Sequence, residues 1–285
     1  MSGILYVVAT PIGNLADITE RARQVLASVA VVAAEDTRHT GQLLAQYGIS
    51  VPLLALHEYN EADRAQILVR RLQGGEDVAV VSDAGTPLIS DPGYRLVLAA
   101  AAQDIRIVPV PGACAAITAL SVAGLPTDRF VFEGFLPHKG AARRSRLQDL
   151  AAESRTLVFY ESPHRLAETL QDLAATFGSD RSTVIARELT KVHESLYRGT
   201  AGQLATLAAI DANLPRGELV IVVAGVEASP QVDNLARYEA AMRSLLEHAP
   251  LSVVADAVSD LTGSRRNSVY EKALALRKES RKESS

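Results

Sequence analysis

The chain has 285 residues, of which 48% are hydrophobic and 22% are charged, and its formal net charge is −4. These values exclude disordered and collagen-like proteins, and the length allows about two domains. The sequence has no apolar run near the roughly 18 residues that a membrane span needs, and no export signal at its start, so we expect a cytoplasmic protein that does not contact membranes.

Short apolar runs rich in β-branched residues alternate with helical stretches in the first half of the chain. This alternation is typical of parallel strands joined by helical crossovers. Asp17 with Glu20 predicts a capping box at one helix start, and Asp91 before Pro92 predicts a second helix start. The predicted strands are residues 4–9, 29–34, 53–56, 78–82 and 105–110.

Each of these five strands is followed by a loop rich in polar residues, glycine or proline. In open α/β sheets, ligands bind beyond the carboxyl ends of the strands. We therefore expect the five loops to converge on one ligand site. The loops are residues 10–14, 35–38, 57–61, 83–87 and 111–114.

The pattern changes after Leu125, where strands and helices follow in a different order. The short separation between Glu188 and Leu196 indicates an antiparallel pair, so we predict a mixed second sheet. Residues 226–233 have the composition of a linker, and the helical stretches beyond them are divided at Pro250 and Gly263. The predicted strands of this half are residues 130–134, 156–160, 183–188, 196–198 and 219–224. The predicted domains are 1–124, 125–228 and a small basic helical domain, 234–285.

Positive charge is concentrated in two segments. Residues 264–285 carry seven basic and three acidic side chains, and residues 138–146 carry four full positive charges and no carboxylate. Segments of this kind receive phosphate groups in nucleic-acid-binding proteins, and they are equally common as solvated helix surfaces.

Several common sites are absent from the sequence. Cys114 is the single cysteine, and no Cys-x-x-Cys or His-Glu-x-x-His pattern is present, so we expect no disulfide and no metal site. The glycine-rich signatures of dinucleotide, polyphosphate and serine-hydrolase sites are also missing. The remaining loops favour a ligand held by backbone groups and van der Waals contact. S-adenosylmethionine is such a ligand.

Four segments carry long and distinctive strings: LYVVATPIGNL at 5–15, AEDTR at 34–38, VVSDAGTPLISDPG at 80–93 and FYESPHR at 159–165. Together they closely resemble the bacterial 16S ribosomal RNA cytidine 2′-O-methyltransferases, a family within the tetrapyrrole methylase superfamily. The resemblance covers nearly the whole chain and includes residues 137–140 and 265–270.

The resemblance implies two α/β domains of the tetrapyrrole methylase type, with S-adenosylmethionine in the cleft between them, and a homodimer. The first loop departs from the superfamily pattern Gly-x-Gly-Pro-Gly, because residues 9–13 read ATPIG. We therefore expect this loop to serve the RNA more than the cofactor. Carried over by position, the cofactor-binding residues are Pro11, Val81, Ser82, Asp83, Gly85, Pro87, Gly112, Cys114, Ala115, Tyr160 and Leu189.

The implied acceptor is the ribose 2′-hydroxyl of a cytidine in the decoding region of 16S ribosomal RNA, within the small ribosomal subunit. A hydroxyl is a weak nucleophile, so a side chain that accepts or orients its proton would assist methyl transfer. We favour Asp36 and Glu61, which follow strands at the cofactor edge, together with His57. The wider set of candidates is Glu35, Asp36, His57, Glu58, Glu61, Glu161 and Lys191.

Basic side chains near the implied site are predicted to contact phosphates and so to position the RNA. The predicted RNA-binding residues are Arg38, Lys139, Arg143, Arg144, Arg165, Arg265 and Arg266.

Two other functions stay open on the sequence. A corrinoid or porphyrinoid (precorrin) methylase would share the fold and the cofactor but would have no need of the basic tail beyond residue 234. A noncatalytic RNA-binding module would not need intact cofactor loops, and calorimetry with S-adenosylmethionine would distinguish it.

Overall fold

The computed structural model describes residues 2–211, 213–226, 235 and 238–283, with side chains up to residue 279. Residues 1–226 form one compact unit and residues 227–285 form another. The first unit contains two five-stranded sheets.

All strands of the first sheet are parallel, in the order β3-β2-β4-β1-β5. Both faces are covered by helices, which explains the nearly continuous apolar character of the strands. The five predicted strands are confirmed to within two residues at each end. They are β1 (Leu5–Val8), β2 (Val31–Ala34), β3 (Leu53–Ala55), β4 (Val78–Val81) and β5 (Ile107–Val110). The helices are α1 (Glu20–Ser28), α2 (Thr37–Gln46), α3 (Glu61–Gln73), α4 (Tyr94–Ala101) and α5 (Ala115–Ala123).

Two predicted helix starts are wrong. Helix α1 is capped by Thr19, whose hydroxyl accepts the N–H of Ala22 at 3.1 Å, so Asp17 does not cap it. Helix α4 begins at Tyr94, after Gly93 with φ of 121°, and not at Asp91. The carboxylate of Glu61 caps α4 instead, and Asp91 lines the ligand crevice described below.

The second sheet is mixed, in the order β6-β7-β10-β8-β9. Only the β6–β7 pair is parallel, and β8 and β9 form the predicted antiparallel pair. The strands are β6 (Phe130–Phe135), β7 (Thr156–Glu161), β8 (Ser182–Arg187), β9 (Ser195–Thr200) and β10 (Leu219–Val223). The helices are α6 (Gly140–Leu150), α7 (Leu166–Phe177) and α8 (Ala201–Ile210).

Helix α5 joins the two sheets. Its buried residues Ala119 and Leu120 pack in one apolar cluster with Val158 of β7 and Val220 of β10, and Ile12 of the first loop belongs to the same cluster. Burial of this cluster holds the two sheets together. The chain passes from one sheet to the other near Leu125, and the division into separate domains at 124/125 stays our prediction.

Within residues 238–283, the second compact unit consists of helices and the short segments that connect them. Its core includes Met242, Val254, Val269 and Leu276. The breaks predicted at Pro250 and Gly263 are confirmed, whereas most of the predicted linker, residues 227–233, lies outside the described residues. The helices are α9 (Glu239–His248), α10 (Leu251–Thr262) and α11 (Arg266–Glu283).

Candidate functional site

A crevice of about 420 Å³ opens between the two sheets of the first unit. From β1 the chain continues to β2, toward one edge of the first sheet, and from β4 it continues to β5, at the other edge. The loops after the neighbouring strands β1 and β4 therefore lie where the strand order reverses. This is where open α/β sheets bind ligands. The crevice is lined by residues 12, 35, 83–86, 89–91, 114–115, 135, 160–163, 186, 189 and 217–220.

Three carboxyl groups line the crevice from the first sheet: Glu35, Asp83 and Asp91. The backbone N–H of Asp36 donates to Asp83 Oδ1 at 3.0 Å, which orients that carboxylate. Burial raises the pKa of Asp91 to about 6; a hydrogen bond from Ser82 opposes the rise, and the charges of Glu35 and Asp83 add to it. Burial and then the charge of Asp83 also raise the pKa of Glu35. Crowded carboxylates of this kind favour a cationic ligand, which relieves their repulsion.

An aromatic cluster surrounds Tyr160 of β7. The rings of Phe132 and Phe135 meet the Tyr160 ring edge-on, with centroids 5.0 and 5.6 Å away. The Tyr160 hydroxyl accepts the backbone N–H of Ala116 at 3.3 Å. Burial raises the pKa of that hydroxyl, so Tyr160 stays neutral and offers the crevice an aromatic face.

The rest of the lining from the second sheet includes Glu161 and Glu218 beside apolar side chains. Ala186 lies one residue before the end of β8, Leu189 follows that strand, Val220 belongs to β10, and Cys114 stands at the start of α5. These side chains present a surface suited to a flat, apolar group such as a purine.

The turn that carries Leu189 has an unusual backbone. Glu188 and Thr190 have φ of 51° and 67°, a left-handed conformation that is uncommon outside glycine. The Glu188 carboxylate stabilises the turn, because Oε1 accepts Lys191 Nζ at 2.8 Å and the backbone N–H of Glu218 at 2.7 Å. Strained residues of this kind cluster at ligand sites.

The predicted cofactor residues fall into three groups. The crevice lining includes Asp83, Gly85, Cys114, Ala115, Tyr160 and Leu189. Val81, Ser82 and Pro87 are buried outside the lining, and Gly112 is exposed outside it. Gly112 lies so close to the first strand that an added Cβ would be 2.9 Å from Ala9 Cβ. Pro11 lines a different hollow.

This second hollow, the α2 hollow, lies between the first loop and helix α2 and has a volume of about 410 Å³. Asp83 lines both the α2 hollow and the crevice. The α2 hollow is lined by Pro11, Gly13, Leu15, His39, Gln42, Leu43, Gln46 and Asp83.

None of the three predicted proton acceptors lines the crevice. Asp36 caps α2 and pairs with Arg38, and these hydrogen bonds lower its pKa to about 2, which makes it a weak base. Glu61 is 8% exposed, and its Oε1 accepts the N–H groups of Gly93 at 3.1 Å and Arg95 at 2.6 Å, so it caps α4. His57 Nε2 is in contact with its neighbour Asn60 at 3.0 Å. We therefore revise these three assignments.

Two of the predicted RNA-binding residues are engaged inside the protein. Arg143 is 3% exposed and donates to Asp172 at 2.7 Å and to Glu168 at 3.1 Å. Arg165 donates to the carbonyl of Leu136 at 2.8 Å. The Arg143 guanidinium connects α6 to α7, and the Arg165 guanidinium connects the start of α7 to the residue that follows β6. We therefore remove Arg143 and Arg165 from the RNA-binding set.

The other predicted RNA-binding residues are exposed. Arg38 pairs with Asp36, and Arg144 extends to 3.6 Å from Asp172 at the surface. Lys139 precedes α6. Arg265 and Arg266 belong to the second unit, where Arg266 pairs with Asp256. These residues remain predicted phosphate contacts.

Asp91 is the site residue that the sequence reasoning missed. The pair Asp91-Pro92 has the form of a helix start, and this local pattern concealed the position of the carboxyl at the crevice. The available signal was the repeated motif Ser-Asp in residues 82–83 and 90–91, with both aspartates in one loop after β4. The lining residues Ala186 and Val220 carried no signal, because alanine and valine are ordinary strand residues.

Within the described part of the chain, no helix has both the length and the apolar character that crossing a membrane requires. The same residues contain no group of three or more histidine, cysteine, aspartate or glutamate side chains placed to hold a metal ion.

Comparison with known families identifies the class of protein. The family model described as Tetrapyrrole (Corrin/Porphyrin) Methylases matches residues 4–205, and one described as RsmI C-terminal HTH domain matches residues 233–277. A uroporphyrin-III C-methyltransferase from Thermus thermophilus shares the fold, with a TM-score of 0.56 and 24% identity over 77% of this chain and 94% of that one. A diphthine synthase superposes with a TM-score of 0.58 and 15% identity, over 78% of this chain and 90% of that one. The chain belongs to the tetrapyrrole methylases and has their fold.

Curated relatives narrow the assignment. A protein of Pseudomonas aeruginosa named ribosomal RNA small subunit methyltransferase I is 54% identical over 96% of this chain and 97% of its own length. Proteins of the same name from Haemophilus influenzae and Escherichia coli O157:H7 are 49% and 50% identical, over 96% and 95% of this chain and 98% and 95% of their own lengths. The chain belongs to the ribosomal RNA small subunit methyltransferase I family of tetrapyrrole methylases.

Proposed function

We propose that the protein transfers a methyl group from S-adenosylmethionine to the ribose 2′-hydroxyl of a cytidine in the decoding region of 16S ribosomal RNA, in the cytoplasm and within the small ribosomal subunit. The observation that carries the proposal is the crevice, where the carboxyl groups of Glu35, Asp83 and Asp91 face a second-sheet lining that includes apolar side chains. Relatives that are 49% to 54% identical to the chain and bear the name of a ribosomal RNA methyltransferase support the RNA acceptor.

The residues of the crevice fit S-adenosylmethionine. Leu189, Val220 and Ala186 offer an apolar surface for the adenine, and the carboxyl groups of Asp83 and Asp91 complement a positively charged sulfonium and ammonium. The chemistry supplied by S-adenosylmethionine when bound is a methyl group activated for transfer to a nucleophile.

Asp83 is the residue placed to act on the acceptor hydroxyl. Its carboxylate lines both the crevice and the α2 hollow, so it stands where donor and acceptor would meet. The N–H of Asp36 holds one carboxylate oxygen, which leaves the other to orient the hydroxyl and accept its proton. Holding the hydroxyl in line with the methyl group supplies a large part of the acceleration.

Exposed basic residues position the RNA through its phosphates. In the first unit these are Arg38, Lys139 and Arg144, and in the second unit Arg265 and Arg266. This set omits Arg143 and Arg165, whose guanidinium groups are engaged by other residues of the protein.

A homodimer is part of the proposal. Helix α4 exposes Tyr94 (65%) and Leu98 (55%), which lie one turn apart on the same helix face. Exposed apolar patches mark contacts with other proteins, and two-fold pairs of identical chains are the commonest assemblies. Light scattering should therefore give twice the mass of one chain, and Leu98→Glu should move the mass toward that of one chain. A single-chain mass for the unaltered protein would contradict the homodimer.

The affinity for S-adenosylmethionine should fall as the pH is lowered. With a pKa of about 6 in the free protein, Asp91 is charged above pH 6 and loses its charge below it. A cation binds the charged form better, so binding releases protons, and the dissociation constant should rise roughly fivefold from pH 8 to pH 5. Asp91→Asn should retain only the smaller dependence that arises from Glu35, whose pKa is also raised.

Isothermal titration calorimetry at four pH values between 5 and 8 tests this prediction. The matched control is Asp180→Asn, because Asp180 is exposed in a turn outside the crevice lining. The control should follow the unaltered protein. Equal pH dependence in Asp91→Asn and the unaltered protein would exclude Asp91 from donor binding.

One experiment tests the function itself. The protein is incubated with S-adenosylmethionine labelled in its methyl group, together with either small ribosomal subunits lacking this modification or a precorrin. We expect label on a ribose of 16S ribosomal RNA and none on the precorrin. Label on the precorrin would favour a corrinoid methylase, and donor binding without transfer to either acceptor would reject both substrates.

A further inference from the structure

The α2 hollow carries three polar side chains without a hydrogen-bond partner. His39, Gln42 and Gln46 lie on one face of α2, spaced three and four residues apart, and each lines the hollow. No side chain or backbone group in the described part of the chain hydrogen-bonds to them. Their donors and acceptors are therefore available to a ligand.

Apolar groups complete the hollow. Pro11 and Leu15 come from the first loop, and Leu43 stands between the glutamines on α2. The Tyr47 hydroxyl donates to the carbonyl of Leu15 at 2.6 Å, which fixes the loop against α2. Apolar surface beside amide and imidazole groups fits a flat ligand with apolar faces and a polar edge, as in a nucleobase.

The same lining argues against a phosphate as the occupant. It contains neither lysine nor arginine, and its one charged residue is Asp83, which would repel an anion. Glutamine side chains, in contrast, pair with base edges that present a donor beside an acceptor. The chemistry of the hollow is that of base recognition.

Asp83 connects the hollow to the crevice, because it lines both. A base in the hollow would place its own ribose near Asp83, facing the donor in the crevice. We propose that the α2 hollow receives the unstacked base of the nucleotide whose ribose is methylated, and that Gln42 and Gln46 bind its edge. This inference rests on the proposed function. Enzymes that modify a nucleotide within folded nucleic acid commonly take it out of its stack.

The test compares two double variants, Gln42→Ala with Gln46→Ala and, as the matched control, Gln66→Ala with Gln171→Ala. The control glutamines are exposed on α3 and α7, outside both the crevice and the α2 hollow. Methyl transfer to small ribosomal subunits gives kcat and KM, and calorimetry gives the dissociation constant for S-adenosylmethionine. Loss of two hydrogen-bonding side chains should lower kcat/KM by about 30-fold, while the control and the donor affinity stay unchanged.

A second readout does not depend on turnover. Ultraviolet crosslinking of the unaltered protein to small subunits, mapped by mass spectrometry, should attach the target nucleotide to residues 11–15 or 39–46. The double variant Gln42→Ala with Gln46→Ala should lose this crosslink, and the control should keep it.

Each outcome decides the inference. If the unaltered protein methylates the subunit and Gln42→Ala with Gln46→Ala is equally active, the α2 hollow does not bind the base. A weakened donor affinity in that variant would assign the hollow to the donor and overturn the inference as well. If the unaltered protein binds no donor or modifies no RNA, the proposed function itself fails, and the inference falls with it.

Discussion

Asp83→Asn is expected to lower kcat for methyl transfer by about 100-fold at saturating donor and RNA, the low end of what a proton-accepting side chain contributes. The amide keeps the shape of the side chain and can still accept the N–H of Asp36, so the loop should keep its conformation. The substitution removes the negative charge and the ability to take up the proton of the acceptor hydroxyl.

Donor binding separates this role from a structural one. The dissociation constant for S-adenosylmethionine should rise at most about fivefold, since one partly solvated charge contributes up to about 1 kcal/mol. A normal kcat, or a loss confined to donor affinity, would remove Asp83 from the reaction. The exposed Asp180→Asn is again the control.

The first sheet was predictable because its signal is local. Strands buried on both faces appear as continuous apolar runs, and residues 31–34 and 78–81 are buried throughout. The position of the loops at the carboxyl edge follows from parallel topology alone, so Asp83 and Gly85 could be placed at the site from the sequence.

Roles that depend on distant partners were not predictable. Glu61 follows a strand as a site residue would, yet its carboxylate is used to cap α4, which is 32 residues away in the chain at Gly93. Conversely, Asp91 has the local form of a cap and lies at the crevice. Which carboxylate caps α4 is decided by the tertiary structure, and no local pattern contains that information.

The prediction that Arg143 contacts RNA depended on charge alone. In the sequence Arg143 belongs to a basic run, but it shares the buried face of α6 with Leu147 and Leu150, four and seven residues later. This spacing is that of a helix face and places Arg143 toward the core. The exposed face of the same helix carries Arg144, which keeps its predicted role.

Arg143→Met should therefore lower the free energy of unfolding by about 3 kcal/mol, because removal of one partner leaves Asp172 without its closest cation in a largely buried position. Burial alone would lower the pKa of Arg143, but its bonds to Asp172 and Glu168 raise it, so the side chain stays charged. Arg144→Met should change stability by less than about 0.5 kcal/mol, since the Arg144 side chain is 58% exposed and its pairing with Asp172 is long, at 3.6 Å.

RNA binding should respond in the opposite order. Arg144→Met should weaken binding to small-subunit RNA and reduce the slope of log affinity against log salt concentration by about 1, the effect of one lost phosphate contact. At a temperature where Arg143→Met is still folded, it should bind RNA with an unchanged salt slope. Thermal denaturation followed by circular dichroism, together with binding at four salt concentrations, measures both quantities for the two neighbouring variants. A reduced salt slope in Arg143→Met, with normal stability, would return that side chain to the RNA interface and contradict its role in holding α6 against α7.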